Sequence, residues 1–306
     1  MNLEGFEILD ERFEDLLLPE SKLEQLATGF IWTEGPNYFY NDGDEYVVWS
    51  DIPNNRMMKW SPTEGVSVFR QPSNYTNGNY RDHEGRLISC EHGNRRVSRT
   101  EHDGTVNTLV DNYHGMRFNS PNDVIVKSDK TIWFTDPSYG ILANTIEGYP
   151  SPYEVPGDFV YRYDPETEEL RVVASDFVKP NGLAFSLDEQ RLYVSDTSVS
   201  HDPYGNHHIR VFDVVDGKTL TNGRLFVEIS PGAPDGFRFD HNGYLFISSE
   251  GQVQVYTEEG GKLRSILVPE TVSNCTFGGK EKNRLFITAR TSLYAITLNT
   301  RGVQKP

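Results

Sequence analysis

The sequence predicts an all-β protein, a six-bladed β-propeller whose four-stranded blades surround a central channel. Three observations predict this fold class. Helical periodicity is nearly absent after the first 25 residues. Short runs that alternate between apolar and polar residues are separated by Gly, Asp, Asn and Pro, which is typical of strands joined by turns. These runs also recur six times along the chain, as expected for a propeller.

Each repeat has a polar leading residue, a strand, a turn and a second strand that ends near an acid or a hydroxyl. Successive leading residues are 43, 45, 59, 54 and 39 positions apart, against about 40–50 residues for one blade, so two blades are enlarged. The leading residues are Glu34, Asn77, Asn122, Asn181, Asp235 and Asn274. We expect residues 1–306 to form a single propeller domain, with residues 1–25 packed outside the ring or supplying a closing strand.

The two long spacings correspond to insertions at residues 138–158 and 197–208. Loops of this length either line a site or decorate the surface, and the sequence leaves both interpretations open. The second insertion carries His201, His207 and His208. Their spacing fits neither a helical pair nor a usual zinc motif, so we expect them to be solvated loop residues.

Composition excludes several classes of function. The chain has 29 Lys and Arg against 45 Asp and Glu, a formal charge of −16, which disfavours nucleic-acid binding. No apolar run is long enough to span a membrane, and the first residues lack the pattern of a signal peptide. Two cysteines, Cys90 and Cys275, are too few for a disulfide framework. We expect a cytoplasmic protein that is a monomer or a homodimer.

The leading residues carry the main chemical signal. The first strand of every blade in a propeller lines the central channel, so these two carboxylates and four amides are expected to form a ring at its mouth. Carboxylate and amide oxygens are hard ligands that suit Ca²⁺, Mg²⁺ or Mn²⁺, and Zn²⁺ less readily. Asn-Gly and Asp-Gly are also strong turn signals, which is the competing explanation. Glu34 does not fit that explanation, because Glu-Gly-Pro is not a preferred turn.

Eight motifs resemble those of one family in the expected order over residues 30–290. They are TEGP (33–36), CEHGNRRV (90–97), RFNSPND (117–123), WFTDPSYG (133–140), KPNGLAF (179–185), YVSDT (193–197), APDGF (233–237) and SNCTFGG (273–279). The chain resembles the SMP-30/gluconolactonase/luciferin-regenerating-enzyme family, which are calcium-dependent lactonases with a six-bladed propeller fold. The resemblance implies a divalent cation as cofactor, most simply Ca²⁺, and a small-molecule lactone as substrate.

The resemblance also implies roles for individual residues. The metal ligands are expected to be Glu34, Asn122, Asn181 and Asp235, and Asp235 is also the candidate general base. The remaining candidates are expected to contact substrate or to form the cavity wall; they are Arg117, Asn119, Asn77, Asp136, Asp196, His92 and Tyr139. For several of these a structural role remains open: a surface ion pair for Arg117, a turn cap for Asp136 and Asp196, and a buried structural histidine for His92.

These residues are suited to opening the ester ring of a sugar lactone. A divalent cation would polarise the carbonyl, and Asp235 would activate the attacking water. The sequence contains no GxSxG, GxGxxG, P-loop or HExxH motif, which agrees with a metal-dependent mechanism without a covalent nucleophile. Two alternatives remain: a related metal-dependent hydrolase of another lactone or of a phosphotriester, and a non-catalytic propeller that binds proteins.

Overall fold

Six antiparallel sheets, each built mainly from consecutive strands, form the fold. The structure is a computed structural model, and it describes residues 6–8, 15–41 and 43–303. The prediction of an all-β, six-bladed β-propeller is confirmed. Blade 1 contains Thr33–Asn41, Asp44–Asp51, Arg56–Ser61 and Gly65–Arg70. Blade 2 contains Thr76–Arg81, Leu87–Glu91, Arg96–Thr100 and Val106–Val110. Blade 3 contains Val124–Val126, Ile132–Asp136, Asp158–Asp164 and Glu169–Phe177.

The second half of the chain continues the same pattern. Blade 4 contains Pro180–Phe185, Arg191–Asp196, His208–Val215 and Thr219–Glu228. Blade 5 contains Phe237–Phe239, Leu245–Ser249, Gln252–Tyr256 and Lys262–Leu267. Blade 6 contains Val272–Gly278, Arg284–Ala289 and Ser292–Thr297. A two-stranded ribbon, Asn112–Tyr113 with Met116–Arg117, joins blades 2 and 3.

Two strands from the N-terminal part of the chain join the last two blades. Glu24–Thr28 pairs antiparallel with Ser292–Thr297 and becomes the outermost strand of blade 6. Blade 6 therefore combines strands from both parts of the chain, which closes the ring of sheets. Phe6–Ile8 pairs with Lys262–Leu267 and adds a fifth strand outside blade 5.

Helical structure within the described residues includes two single-turn 3₁₀ helices, Tyr139–Ile141 and Ser198–Ser200, one in each insertion. No helix among the residues that the structure describes is long and apolar enough to cross a membrane.

The hydrophobic core lies between neighbouring blades. The second strands of blades 2, 3 and 5 are buried along their whole length, because both faces of each sheet pack against adjacent sheets. One core cluster joins Ile88 of blade 2 to Phe134 and Tyr161 of blade 3. The outer strand Gly65–Arg70 has no buried residue, so it contributes little to this core.

Glycine follows the leading residue in four blades because the inner strands approach one another closely at the axis. A Cβ atom on Gly35 would lie 2.3 Å from the Asn77 carbonyl oxygen, and one on Gly182 would lie 2.2 Å from the Asp235 carbonyl oxygen. No side chain fits at such distances. The corresponding positions in blades 3 and 6 hold Asp123 and Cys275, which are both buried.

In blades 1, 3 and 4 the second strand ends in a hydroxyl residue followed by an acid, and both hold the adjoining turns in place. Hydroxyl groups reach the carbonyl oxygen of the next leading residue: Ser50 Oγ donates to the Asn77 oxygen at 2.7 Å, and Thr135 Oγ1 donates to the Asn181 oxygen at 2.8 Å. The acid that follows binds nearby backbone or side-chain donors; Asp51, for example, accepts from the Ile31 N–H at 3.0 Å. These contacts give the repeated hydroxyl and acid a structural purpose.

Candidate functional site

A cavity of about 330 Å³ opens at the end of the channel where the inner strands begin. Five of the six leading residues line it: Glu34, Asn77, Asn122, Asn181 and Asp235. The two insertions add further walls, including Tyr139 from the first and His201 from the second, whose rings lie 5.3 Å apart. All four predicted metal ligands therefore line one cavity.

Glu34 is held from behind by two donors. Its Oε2 atom accepts hydrogen bonds from the Gly35 N–H at 2.8 Å and from Asn274 Nδ2 at 3.1 Å. Burial raises the pKa of Glu34 to about 8, and repulsion from Asp123 and Glu147 contributes to that rise. The sixth leading residue, Asn274, does not line the cavity and supports Glu34 instead.

Asp235 lies in an equally unfavourable environment for a negative charge. Burial raises its pKa well above the usual range, and repulsion from Glu34, Asp123 and Glu147 raises it further. A hydrogen bond from Asn181 partly offsets this effect. The site thus concentrates carboxyl groups in a desolvated space, where a cation would stabilise their charged forms.

Asn77 and His92 form a connected pair. Burial lowers the pKa of His92 to about 4, so the ring is neutral at physiological pH. The Nδ1 atom lies 3.1 Å from the Glu147 carbonyl oxygen, which assigns the proton to Nδ1 and makes Nε2 the acceptor for Asn77 Nδ2 at 3.3 Å. The Oδ1 atom of Asn77 is buried and has no hydrogen-bond partner among the described residues. His92 therefore orients Asn77 and leaves an amide oxygen unsatisfied.

The donor set fits a hard divalent cation. It consists of two carboxylates and the amides of Asn77, Asn122 and Asn181, and one of its oxygen atoms, Asn77 Oδ1, has no hydrogen-bond partner within the described chain. The part of the chain that the structure describes holds no group of three or more His, Cys, Asp or Glu residues arranged for metal binding. The site is therefore a mixed carboxylate and amide set, which suits Ca²⁺, Mg²⁺ or Mn²⁺ better than Zn²⁺.

Several predicted substrate contacts lie outside this cavity. Arg117 is exposed on the ribbon between blades 2 and 3, where its Nη2 atom donates to the Asn94 carbonyl oxygen at 3.1 Å. Asn119 is buried and binds the backbone and side chain of neighbouring residues, including Asp158 Oδ1 at 3.0 Å. Asp136 accepts from the Asn119 N–H at 2.9 Å. The structure does not bring these three residues to the ring.

Asp196 also acts within the scaffold. Its carboxylate accepts from the backbone N–H groups of Val178 at 2.9 Å, Lys179 at 3.2 Å and Ser198 at 3.1 Å. It is the blade 4 equivalent of Asp51, at the end of the second strand. His92 likewise lies behind the ring, whereas Tyr139 lines the cavity as the sequence predicted.

Two residues that line the cavity and one that lies behind it were not predicted from the sequence. Asp123 is buried and pairs with Arg238 at 3.8 Å. The sequence signal that could have identified it is that Asp123 follows its leading residue where most blades have a glycine. Glu147 lines the cavity from the first insertion, but it has no repeat position to reveal it. His201 is solvent-exposed, as expected for a loop, yet it also lines the cavity.

Comparisons with known proteins agree with this architecture. The family described as "SMP-30/Gluconolactonase/LRE-like region" matches residues 32–291. A gluconolactonase from Zymomonas mobilis is 30% identical over 310 residues, covering 95% of this chain and 85% of that protein. The solved structure of a gluconolactonase from Xanthomonas campestris superposes with a TM-score of 0.88 at 37% identity, covering 97% of this chain and 96% of the other.

A more distant structure extends the likeness in fold alone. The calcium-binding protein regucalcin from Agrobacterium tumefaciens has a TM-score of 0.76 at 16% identity, covering 94% of this chain and 97% of the other. The family match spans most of the chain and includes all four predicted ligands. This chain belongs to the SMP-30/gluconolactonase/LRE-like family.

Proposed function

We propose that this protein is a metal-dependent hydrolase that opens the ester ring of a sugar lactone, as a gluconolactonase does. One observation carries the proposal: Glu34, Asn122, Asn181 and Asp235, which begin four different blades, line a single cavity. The names of the Zymomonas and Xanthomonas relatives support the choice of reaction and of substrate class.

The proposed cation ligands are Glu34, Asn122, Asn181 and Asp235, with Ca²⁺ as the simplest candidate for the cation. When bound, a divalent cation supplies Lewis-acid polarisation of the lactone carbonyl. The unsatisfied oxygen of Asn77 and the raised pKa values of Glu34 and Asp235 support a site built to receive positive charge.

Asp235 is the proposed general base. It shares the cavity with substrate and would accept a proton from the attacking water at a carboxylate oxygen. Glu34 cannot serve this role equally well, because Gly35 and Asn274 already engage its Oε2 atom. Asn274 and His92 are proposed positioning residues that fix Glu34 and Asn77. The products are the ring-opened hydroxy acid and no other fragment.

Hydrolysis of a panel of aldonolactones, followed with a pH indicator, tests this proposal. We expect turnover to stop after chelation and to return when Ca²⁺, Mg²⁺ or Mn²⁺ is added. Asp235→Asn should lower kcat by about 10²-fold or more while the variant stays folded. Turnover that survives thorough chelation would contradict the metal dependence. A folded Asp235→Asn variant with wild-type kcat would contradict the role of Asp235.

A further inference from the structure

The first insertion brings a third carboxyl group to the cavity. Glu147 lines the cavity together with Glu34 and Asp235, although it belongs to no repeat position. The three carboxyl groups do not form a group that could hold one metal ion together, and Glu147 is not among the proposed cation ligands. Its place in the site therefore needs another explanation.

The backbone around Glu147 is held by contacts with blade 2 and with the start of its own insertion. The Nδ1–H of His92, a buried residue of blade 2, donates to the Glu147 carbonyl oxygen at 3.1 Å. Gly148 packs so closely on the start of the same insertion that a Cβ atom there would lie 2.2 Å from the Gly140 carbonyl oxygen. The Ser151 N–H also donates to the Ile141 carbonyl oxygen at 3.1 Å. These contacts hold the backbone of Glu147 at a defined place on the cavity wall.

The carboxyl group itself has no hydrogen bond or ion pair with any residue that the structure describes. Lys179, which directly precedes the first strand of blade 4, pairs with Asp158 at 3.0 Å rather than with Glu147. Burial raises the pKa of Glu147 to about 7. Glu147 is half-buried and lines the cavity, so its carboxyl group is available to a molecule that enters the cavity.

The chemistry of the proposed substrate identifies a partner for this carboxyl group. The carbonyl and ring oxygens of a lactone only accept hydrogen bonds, so they gain nothing from a carboxylate acceptor. The hydroxyl groups of a sugar lactone are its only donors. A carboxylate with all its acceptor positions available would bind these hydroxyls through charge-assisted hydrogen bonds.

We propose that Glu147 is a specificity-determining residue, whose carboxylate accepts hydrogen bonds from the hydroxyl groups of the lactone and thereby selects polyhydroxylated lactones over unsubstituted ones. This inference rests on the proposed function and adds a substrate class to it. It also gives His92 a second task, because His92 holds both Asn77 of the ring and the backbone of Glu147.

The test compares glucono-1,5-lactone, which has hydroxyls, with δ-valerolactone, which has none. The variants are Glu147→Ala, Glu147→Gln and a control, Glu154→Gln. Glu154 belongs to the same insertion, pairs with Arg95 at 3.2 Å and does not line the cavity. We expect Glu147→Ala to raise KM for gluconolactone by about 10- to 100-fold, with kcat changed less than about threefold. Its kcat/KM for valerolactone should change less than about threefold.

Glu147→Gln should fall between wild type and Glu147→Ala, because the amide oxygen keeps an acceptor without the charge. Equal losses on both lactones would overturn the proposal, since they would place Glu147 in a step common to all substrates. Weaker Ca²⁺ binding by Glu147→Ala in a calorimetric titration would also overturn it, because Glu147 would then act through the cation. A matching loss in Glu154→Gln would assign the effect to the loop rather than the carboxylate. A wild-type protein that hydrolyses neither lactone would overturn the proposed function itself.

Discussion

Equivalent asparagines perform different tasks in this propeller, and their neighbours decide which. Asn122 and Asn181 begin inner strands and face the cavity. Asn274 occupies the same repeat position, but its Nδ2 atom turns to Glu34 at 3.1 Å. Because one amide donates to a carboxylate whose pKa is already raised, it favours the charged form that a cation would need. Residue type alone therefore does not determine the role of a side chain in the ring.

The raised pKa of Glu34 predicts an unusual pH dependence of stability in cation-free protein. The folded protein holds this proton up to about pH 8, whereas the ordinary pKa of a glutamate is 4.5. The stabilisation is thus complete at low pH and is lost as the pH rises through the folded value. We expect the Tm of chelated protein to fall between about pH 4.5 and pH 8, the unfolded and folded pKa values of Glu34, and this slope to be smaller in Glu34→Gln.

Thermal unfolding of wild type and Glu34→Gln, across this pH range and with excess chelator, measures the effect. Adding Ca²⁺ should raise the Tm of wild type most at the alkaline end, where the carboxylates are charged. Identical slopes for the two proteins would show that Glu34 is not the group that titrates.

At the scale of the element, the acid that ends the second strand in blades 1 to 4 has a structural role. Asp51 and Asp196 both accept backbone N–H groups from the segment that enters their blade. The sequence showed the repeat of these acids but gave no way to separate a turn-binding carboxylate from a substrate-binding one. Only the position of the cavity makes that distinction.

Asp196→Asn tests this interpretation. The substitution leaves one oxygen to serve the N–H groups of Val178, Lys179 and Ser198, so we expect it to lower the free energy of unfolding by about 1–3 kcal/mol. The KM of the folded variant for lactone should change less than about threefold. Denaturant unfolding and steady-state kinetics measure the two effects. A large rise in KM with unchanged stability would instead support the predicted contact with substrate.

Across the whole molecule, the sequence predicts what the repeat encodes. The order of six repeats predicted the blades, and the leading residues predicted the ring, because both follow from the periodicity of the chain. Glu147 and His201 escaped prediction because insertions have no equivalent in other blades, so nothing in the pattern indicates where they point. Asp123 follows a leading residue, so the repeat indicates its position along the chain. How close it lies to the other inner strands depends on the fold and cannot be read from the sequence pattern.

Closure of the ring depends on pairing between distant parts of the chain. Glu24–Thr28 covers the edge of Ser292–Thr297, whereas Phe6–Ile8 only extends blade 5 outwards. Removing residues 1–28 would leave blade 6 with an unpaired edge next to Leu293 and Ala295, which belong to the buried core. We expect this truncation to lower the Tm by about 10 °C or more and to promote aggregation.

A truncation of residues 1–8 is the matched control, since it removes an outer strand without opening the ring, and its Tm should fall much less. Calorimetry and size-exclusion chromatography of the two proteins decide the question. Equal Tm values would mean that contacts between neighbouring blades hold the propeller closed without the strand from the N-terminal segment. Because Thr33 and Ser273 join blades 1 and 6 through a hydrogen bond of 2.6 Å, some cohesion at this seam should remain even in the longer truncation. The difference between the two truncations therefore measures what the closing strand adds to the seam.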